Sequence, residues 1–187
     1  GYDSAWMAEA ERRGLVNLPN TAAALPAYIL PKNVALMTKH GVYTTSEMMA
    51  RHEIHMEKYC KLISIEAATL VDMVQHSILH AASRYEGVLC QTILQKKQAL
   101  PHADCRVETA LAESILTLNG ELLDDTVALK TALETAPETD GEHMLRYYHD
   151  TIFAQMNKVR ASIDKLETLV AGDYWPYPRY TDLLFWV

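Results

Sequence analysis

Between Pro31 and Pro101 the chain contains no proline, and its apolar residues return every three or four positions. Met56, Tyr59, Ile63, Ala67, Leu70, Val74, Ile78, Ala81, Tyr85 and Val88 make that row, and such spacing keeps side chains on one helical face. At its head stand Thr44 and Glu47, three residues apart as a capping box requires, so that each side chain satisfies an orphaned backbone N–H. The pattern predicts one helix of about 50 residues, roughly 75 Å long, with Ser83 and Gly87 as its expected kink. A stripe of that length must be covered by other elements. It needs other helices of comparable length.

The sequence supplies them. After Pro101, with Asp104 as the expected cap, a second row runs through Val107, Leu111, Ile115, Leu118, Leu122, Leu129 and Leu133. Gly120 lies inside it, at a cost of about 1 kcal/mol. A hinge at 136–141 precedes a third row, Leu145, Tyr148, Ile152, Met156, Val159, Ile163, Leu166 and Val170, closed by Gly172. No alternating pattern is long enough for a sheet. The expected fold class is all-α, an antiparallel bundle of three long helices.

Three segments follow from this. Residues 1–43 read as a connector of short helices, punctuated by Pro19, Pro26, Pro31, Gly14 and Gly41. Ser4 is the expected cap of the first, which runs to Arg13, and Asn33 caps another, Val34 to His40. Residues 44–172 form the long-helix bundle. Residues 173–187 are a tail rich in aromatics and proline, among them Tyr174, Trp175, Pro176, Tyr177 and Pro178. That much apolar surface at a terminus is expected to dock, on the bundle or on a partner.

A chain of 187 residues can hold one domain with a core of ordinary size. Its net charge of −7 argues against nucleic acid or an anionic membrane as the main partner. Cys60, Cys90 and Cys105 are too scattered for a disulfide framework, and suit a reducing cytoplasmic setting in which each thiol acts as a small apolar group. No uninterrupted apolar run approaches the roughly 20 residues of a membrane span, so none is expected.

Little in the chain carries chemistry. His52-Glu53-Ile54-His55 resembles a zinc-protease helix only superficially, because those histidines must stand at i and i+4 and these stand at i and i+3. Solvated histidines on a helix face are the expectation. Asp72, His76 and His80 share a face at i, i+4 and i+8, but a closed metal site needs a ligand from a second element. Glu66 stands among Ile63, Ile65 and Ala67, and is expected half-buried and paired with Arg84 or Arg160 rather than acting as a base. Asp124, Asp125, Glu134 and Glu142 read as solvated acidic groups lacking the spacing of a calcium loop. The expected catalytic, cofactor-binding and metal-binding residues are therefore none.

Several stretches nevertheless resemble one family. Gly14-Leu15-Val16-Asn17-Leu18-Pro19-Asn20-Thr21, Lys39-His40-Gly41-Val42-Tyr43-Thr44 and Glu53-Ile54-His55-Met56-Glu57-Lys58-Tyr59 are similar to the region that follows the catalytic domain of type III glutamine synthetases. Ile63-Ser64-Ile65-Glu66-Ala67-Ala68 resembles that family's INIEA-like helix, and Asp173-Tyr174-Trp175-Pro176-Tyr177-Pro178 its carboxy-terminal signature. His80 departs from the proline that many relatives carry there. The resemblance implies a non-catalytic helical C-terminal domain, serving assembly, stability or regulation. It also implies a parent that ligates ammonia to glutamate with ATP and Mg or Mn, and that assembles as a dodecamer. The motifs for that chemistry belong to other domains, so no cofactor is expected on these residues. The alternative is an independent helical-bundle interaction module.

Overall fold

The computed structural model describes residues 3–137 and 141–184, and every regular element among them is helical. The chain divides into two compact units, Gly1–Leu62 with Pro137–His149, and Ile63–Ala136 with Asp150–Val187.

The first unit holds α1 (Ser4–Arg12), α2 (Thr21–Tyr28), α3 (Pro31–Lys39), the start of α4 (Thr45–Met73) and α7 (Glu142–Tyr147). Asp3, not Ser4, caps α1, its carboxylate accepting the Ala5 N–H at 3.1 Å. Asn20 caps α2 by accepting from Ala23 at 2.8 Å. Asn33 is no cap, because Pro31 opens α3 with its pre-set φ at a position needing no N–H donor. The Asn33 amide donates instead to the Ala27 carbonyl at 2.6 Å. Gly41 takes φ +63 behind α3, the left-handed stop expected of glycine. The capping box at the head of α4 is formed in full. The Thr44 N–H donates to Glu47 Oε2 at 2.7 Å, and the Glu47 N–H to Thr44 Oγ1 at 3.2 Å. Core contacts join Met56, Cys60 and Leu145, with Ala22, Leu25, Tyr59, Met144 and Tyr148 around them.

In the second unit the helix continues from α4 through a π-helical segment, Val74–Ile78, into α5 (Leu79–Ala99). The irregularity is therefore not at Ser83 or Gly87, both of which lie in unbroken α-helix. A π turn keeps every backbone bond in a wider loop, so it needs no glycine to mark it. α6 (Arg106–Glu134) begins two residues after Asp104, whose carboxylate accepts the Arg106 N–H at 3.0 Å. A second π segment, Tyr148–Phe153, leads into α8 (Ala154–Leu169), and α9 (Tyr180–Leu184) follows.

α6 packs on both α5 and α8. Its Ile115, Leu122 and Leu129 are fully enclosed, as are Val159 and Leu166 of α8. Burying a side chain of this kind contributes about 1.5–3 kcal/mol. Polar ties cross the same seams. Asn119 donates to Ser83 at 2.9 Å, Lys96 pairs with Glu108, and the Gln155 amide donates to Asp125 Oδ1 at 2.9 Å.

Composition alone gives the long helix a second reading. Thr45–Ala99 does contain an 18-residue window of mean hydropathy 1.3, long and apolar enough by composition alone to cross a membrane. The stripe is two-sided, however. Ile63, Ala67, Val71 and Val74 are buried, while Glu66 and Asp72 on the same helix are exposed, the pattern of a helix lying against protein.

Candidate functional site

The two histidines near the start of α4 differ sharply. His55 is exposed and meets the Tyr28 ring edge-on, centroids 6.2 Å apart. His52 is buried, with 5% of its surface accessible, and its Nε2 has no hydrogen-bond partner among the described residues. The expectation of a solvated His52 is overturned. Its cause is periodic: Met48, His52, Met56 and Cys60 recur at i+4 and all are buried. Extending the apolar row backward from Met56 in steps of four would have found it.

His52 lines an open cleft of about 680 Å³ in the first unit. Met49, Met56 and Met144 give it thioether walls, Ile29 and Ile54 add aliphatic surface, and Glu53 and Glu57 bring carboxylates. Glu57 is bound by Lys61 at 2.6 Å, whereas Glu53 has no ion pair among the described residues.

The second unit carries a groove of about 580 Å³ with a floor that includes Leu70, Met73, Met156 and Trp175. Glu66 stands on its rim and is exposed, not half-buried. Neither expected arginine pairs with it. Arg160 reaches Asp164 at 3.4 Å, and the Arg84 guanidinium lies 5.6 Å from the Tyr174 ring centre. Glu66 thus has neither the burial nor the neighbours that make a carboxyl a base.

Asp72 and His76 do meet, at 2.9 Å between carboxylate and Nδ1, on an exposed surface. His80 lies beyond the Val74–Ile78 π segment, which breaks the i, i+4, i+8 register on which a shared face depends. Among the described residues no three of His, Cys, Asp and Glu come together as a metal shell would require. The donor set therefore does not fit the divalent metal that the family resemblance implies for the parent.

Of the remaining candidates, Asp124 is exposed, and Asp125 is half-buried where it accepts from Gln155. Glu134 is exposed, and Glu142 lies 4.0 Å from Arg146. Residues 138–140 of the acidic hinge fall outside the described residues. The three cysteines are free. Burial raises the Cys60 thiol above its ordinary value, which suppresses the thiolate. Cys105 is also buried, but Cys90 is exposed and does not act as core filler. In the tail, Trp175 keeps only 9% of its surface exposed, and Tyr174 packs on Tyr85 of α5 with centroids 5.4 Å apart.

Comparison with known proteins adds what geometry lacks. The family model described as "Glutamine synthetase C-terminal domain" matches residues 1–97. A glutamine synthetase of Butyrivibrio fibrisolvens is 33% identical, over 99% of this chain and 27% of its own length. A type-3 glutamine synthetase of Dictyostelium discoideum is 29% identical, over 99% and 26% respectively. A glutamine synthetase of Bacteroides fragilis is 26% identical over the same shares. The chain thus spans about a quarter of the length of the curated relatives it matches.

Proposed function

The chain belongs to the glutamine synthetase C-terminal domain family, and on that premise we propose that it is the non-catalytic helical C-terminal domain of a type III enzyme, serving assembly and stability. The observation that carries this reading is a contrast. Among the described residues no three of His, Cys, Asp and Glu gather as a metal shell would require, yet large apolar side chains such as Trp6, Leu15, Val16, Ile54, Ile65, Leu116 and Val127 are exposed. In this proposal those side chains are covered in the assembled parent.

In this reading the parent ligates ammonia to glutamate using ATP and Mg or Mn, all held by domains outside these 187 residues. The parent is cytoplasmic and dodecameric, and this domain contacts the catalytic body and neighbouring subunits. α5, α6 and α8 act as an antiparallel bundle. The Ser83–Asn119 and Lys96–Glu108 ties support an antiparallel α5–α6 pair, because partner numbers rise along one helix as they fall along the other, and Asp125–Gln155 joins α6 to α8. The tail serves as a clasp, supported by the burial of Trp175.

Calorimetry on the 187-residue chain with Mg–ATP and with glutamate tests the non-catalytic claim. No binding heat is expected. Micromolar affinity for either would overturn it.

A further inference from the structure

We propose that the outer face of α6 pairs antiparallel with the same face of a second copy of this chain. This rests on the reading above that the domain contacts neighbouring subunits, and it names one such contact.

α6 packs on α5 and α8 and buries Ile115, Leu122 and Leu129, but another face stays open. On that face Leu116, Leu123 and Val127 keep 60%, 48% and 52% of their surface accessible, and Gly120 among them is exposed. Their spacings of four, three and four are those of a heptad seam. The next seam position at each end is charged and exposed, Glu113 before the apolar run and Lys130 after it.

The seam's register against itself identifies the occupant. A second copy is turned end for end about a point between Glu121 and Leu122. Glu113 of one copy then falls opposite Lys130 of the other, Leu116 opposite Val127, and Gly120 opposite Leu123. Each pair occurs twice, as a two-fold axis requires of a self-complementary surface. Neither Glu113 nor Lys130 has an ion pair among the described residues, so both charges are available across the axis. A parallel pairing would set Glu113 on Glu113 and Lys130 on Lys130, which like-charge repulsion opposes.

Gly120 supplies a second argument. Glycine inside a helix weakens it, and no other part of the chain lies within 4 Å of a Cβ built at Gly120. Packing within the chain therefore does not call for a glycine there. Opposite Leu123 of the copy, the missing side chain leaves a hole for that leucine to fill and lets the two backbones approach.

Sedimentation velocity on the 187-residue chain, over a concentration series, tests the pairing. A seam from one helix is small for a specific interface, so the dimer is expected to be weak, half-formed at roughly 10–100 µM. Glu113→Lys alone and Lys130→Glu alone each place like charges opposite one another twice, and each is expected to weaken dimerisation by roughly tenfold or more. Mixed in equal amounts, the two variants restore both opposite-charge pairs in a heterodimer, which is expected to form as readily as the wild-type dimer. That recovery also shows that neither variant has lost its fold. A wild-type chain that stays monomeric throughout overturns the proposal and leaves this face to the parent's other domains. A dimer that Leu123→Glu leaves intact overturns it by placing the contact elsewhere, and a mixture that fails to recover overturns the antiparallel register. Nucleotide binding by the chain would defeat the non-catalytic reading while leaving this dimer in place, so the two failures are distinct.

Discussion

At the scale of single residues, polar groups with fixed partners act in one direction and the buried His52 Nε2, which has no partner among the described residues, in the other. Thr44 and Glu47 cap α4 reciprocally. Thr44→Ala should cost about 1 kcal/mol, read as a fall in the midpoint of chemical unfolding. The Glu47 carboxyl is held below its ordinary value by the Thr44 N–H first and the Thr44 hydroxyl second. Glu108 is held below by its hydrogen bond from Lys96 above all. Because folding lowers both, their contribution is complete above the ordinary carboxylate value of about 4.3 and is lost as the pH falls through the folded values. The melting temperature should therefore decline below that pH, and less steeply in the Glu47→Gln and Glu108→Gln double variant. His52 behaves in the opposite way. Its unsatisfied Nε2 opposes folding of the short chain, so His52→Leu should raise stability, by about 1–3 kcal/mol. A destabilised His52→Leu chain would mean that the imidazole is satisfied after all.

Helices were the most legible part of the sequence, and their interruptions the least. The period of the apolar rows foretold Thr45–Ala99 as one long helical stretch, and Thr44 with Glu47 fixed its start. Both π segments went unseen because Val74–Ile78 and Tyr148–Phe153 contain no proline or glycine. A wider turn shifts the register without any residue that a pattern would flag. Glu66 and His52 depart from expectation for different reasons. Glu66 lies beside its stripe and is exposed, one step from buried Ala67, whereas His52 is a polar residue within the buried row of Met48, Met56 and Cys60. Among the described residues no metal-like cluster forms around His80, and the same π segment takes it out of register with Asp72 and His76. Within α6, Leu122 is fully buried and Leu116 largely exposed. Leu122→Ala should cost about 2–5 kcal/mol, and Leu116→Ala within about 0.5 kcal/mol. Equal effects in urea unfolding would contradict the packing of α6 between α5 and α8.

For the whole molecule, the account holds that these helices support a synthetase without taking part in its chemistry. Trp175 is the residue on which that can be tried. It is buried in the tail, and its neighbour Tyr174 packs on α5. Truncating a buried Trp to Ala typically costs about 3–5 kcal/mol, enough to loosen a clasp without removing a catalytic group. The decisive measurement is the turnover number for glutamine synthesis per fully assembled particle of the parent carrying Trp175→Ala, with particle masses counted in the same sample. The account predicts fewer full-sized particles, each turning over at the wild-type rate. An unchanged mass distribution with turnover reduced tenfold or more would contradict it.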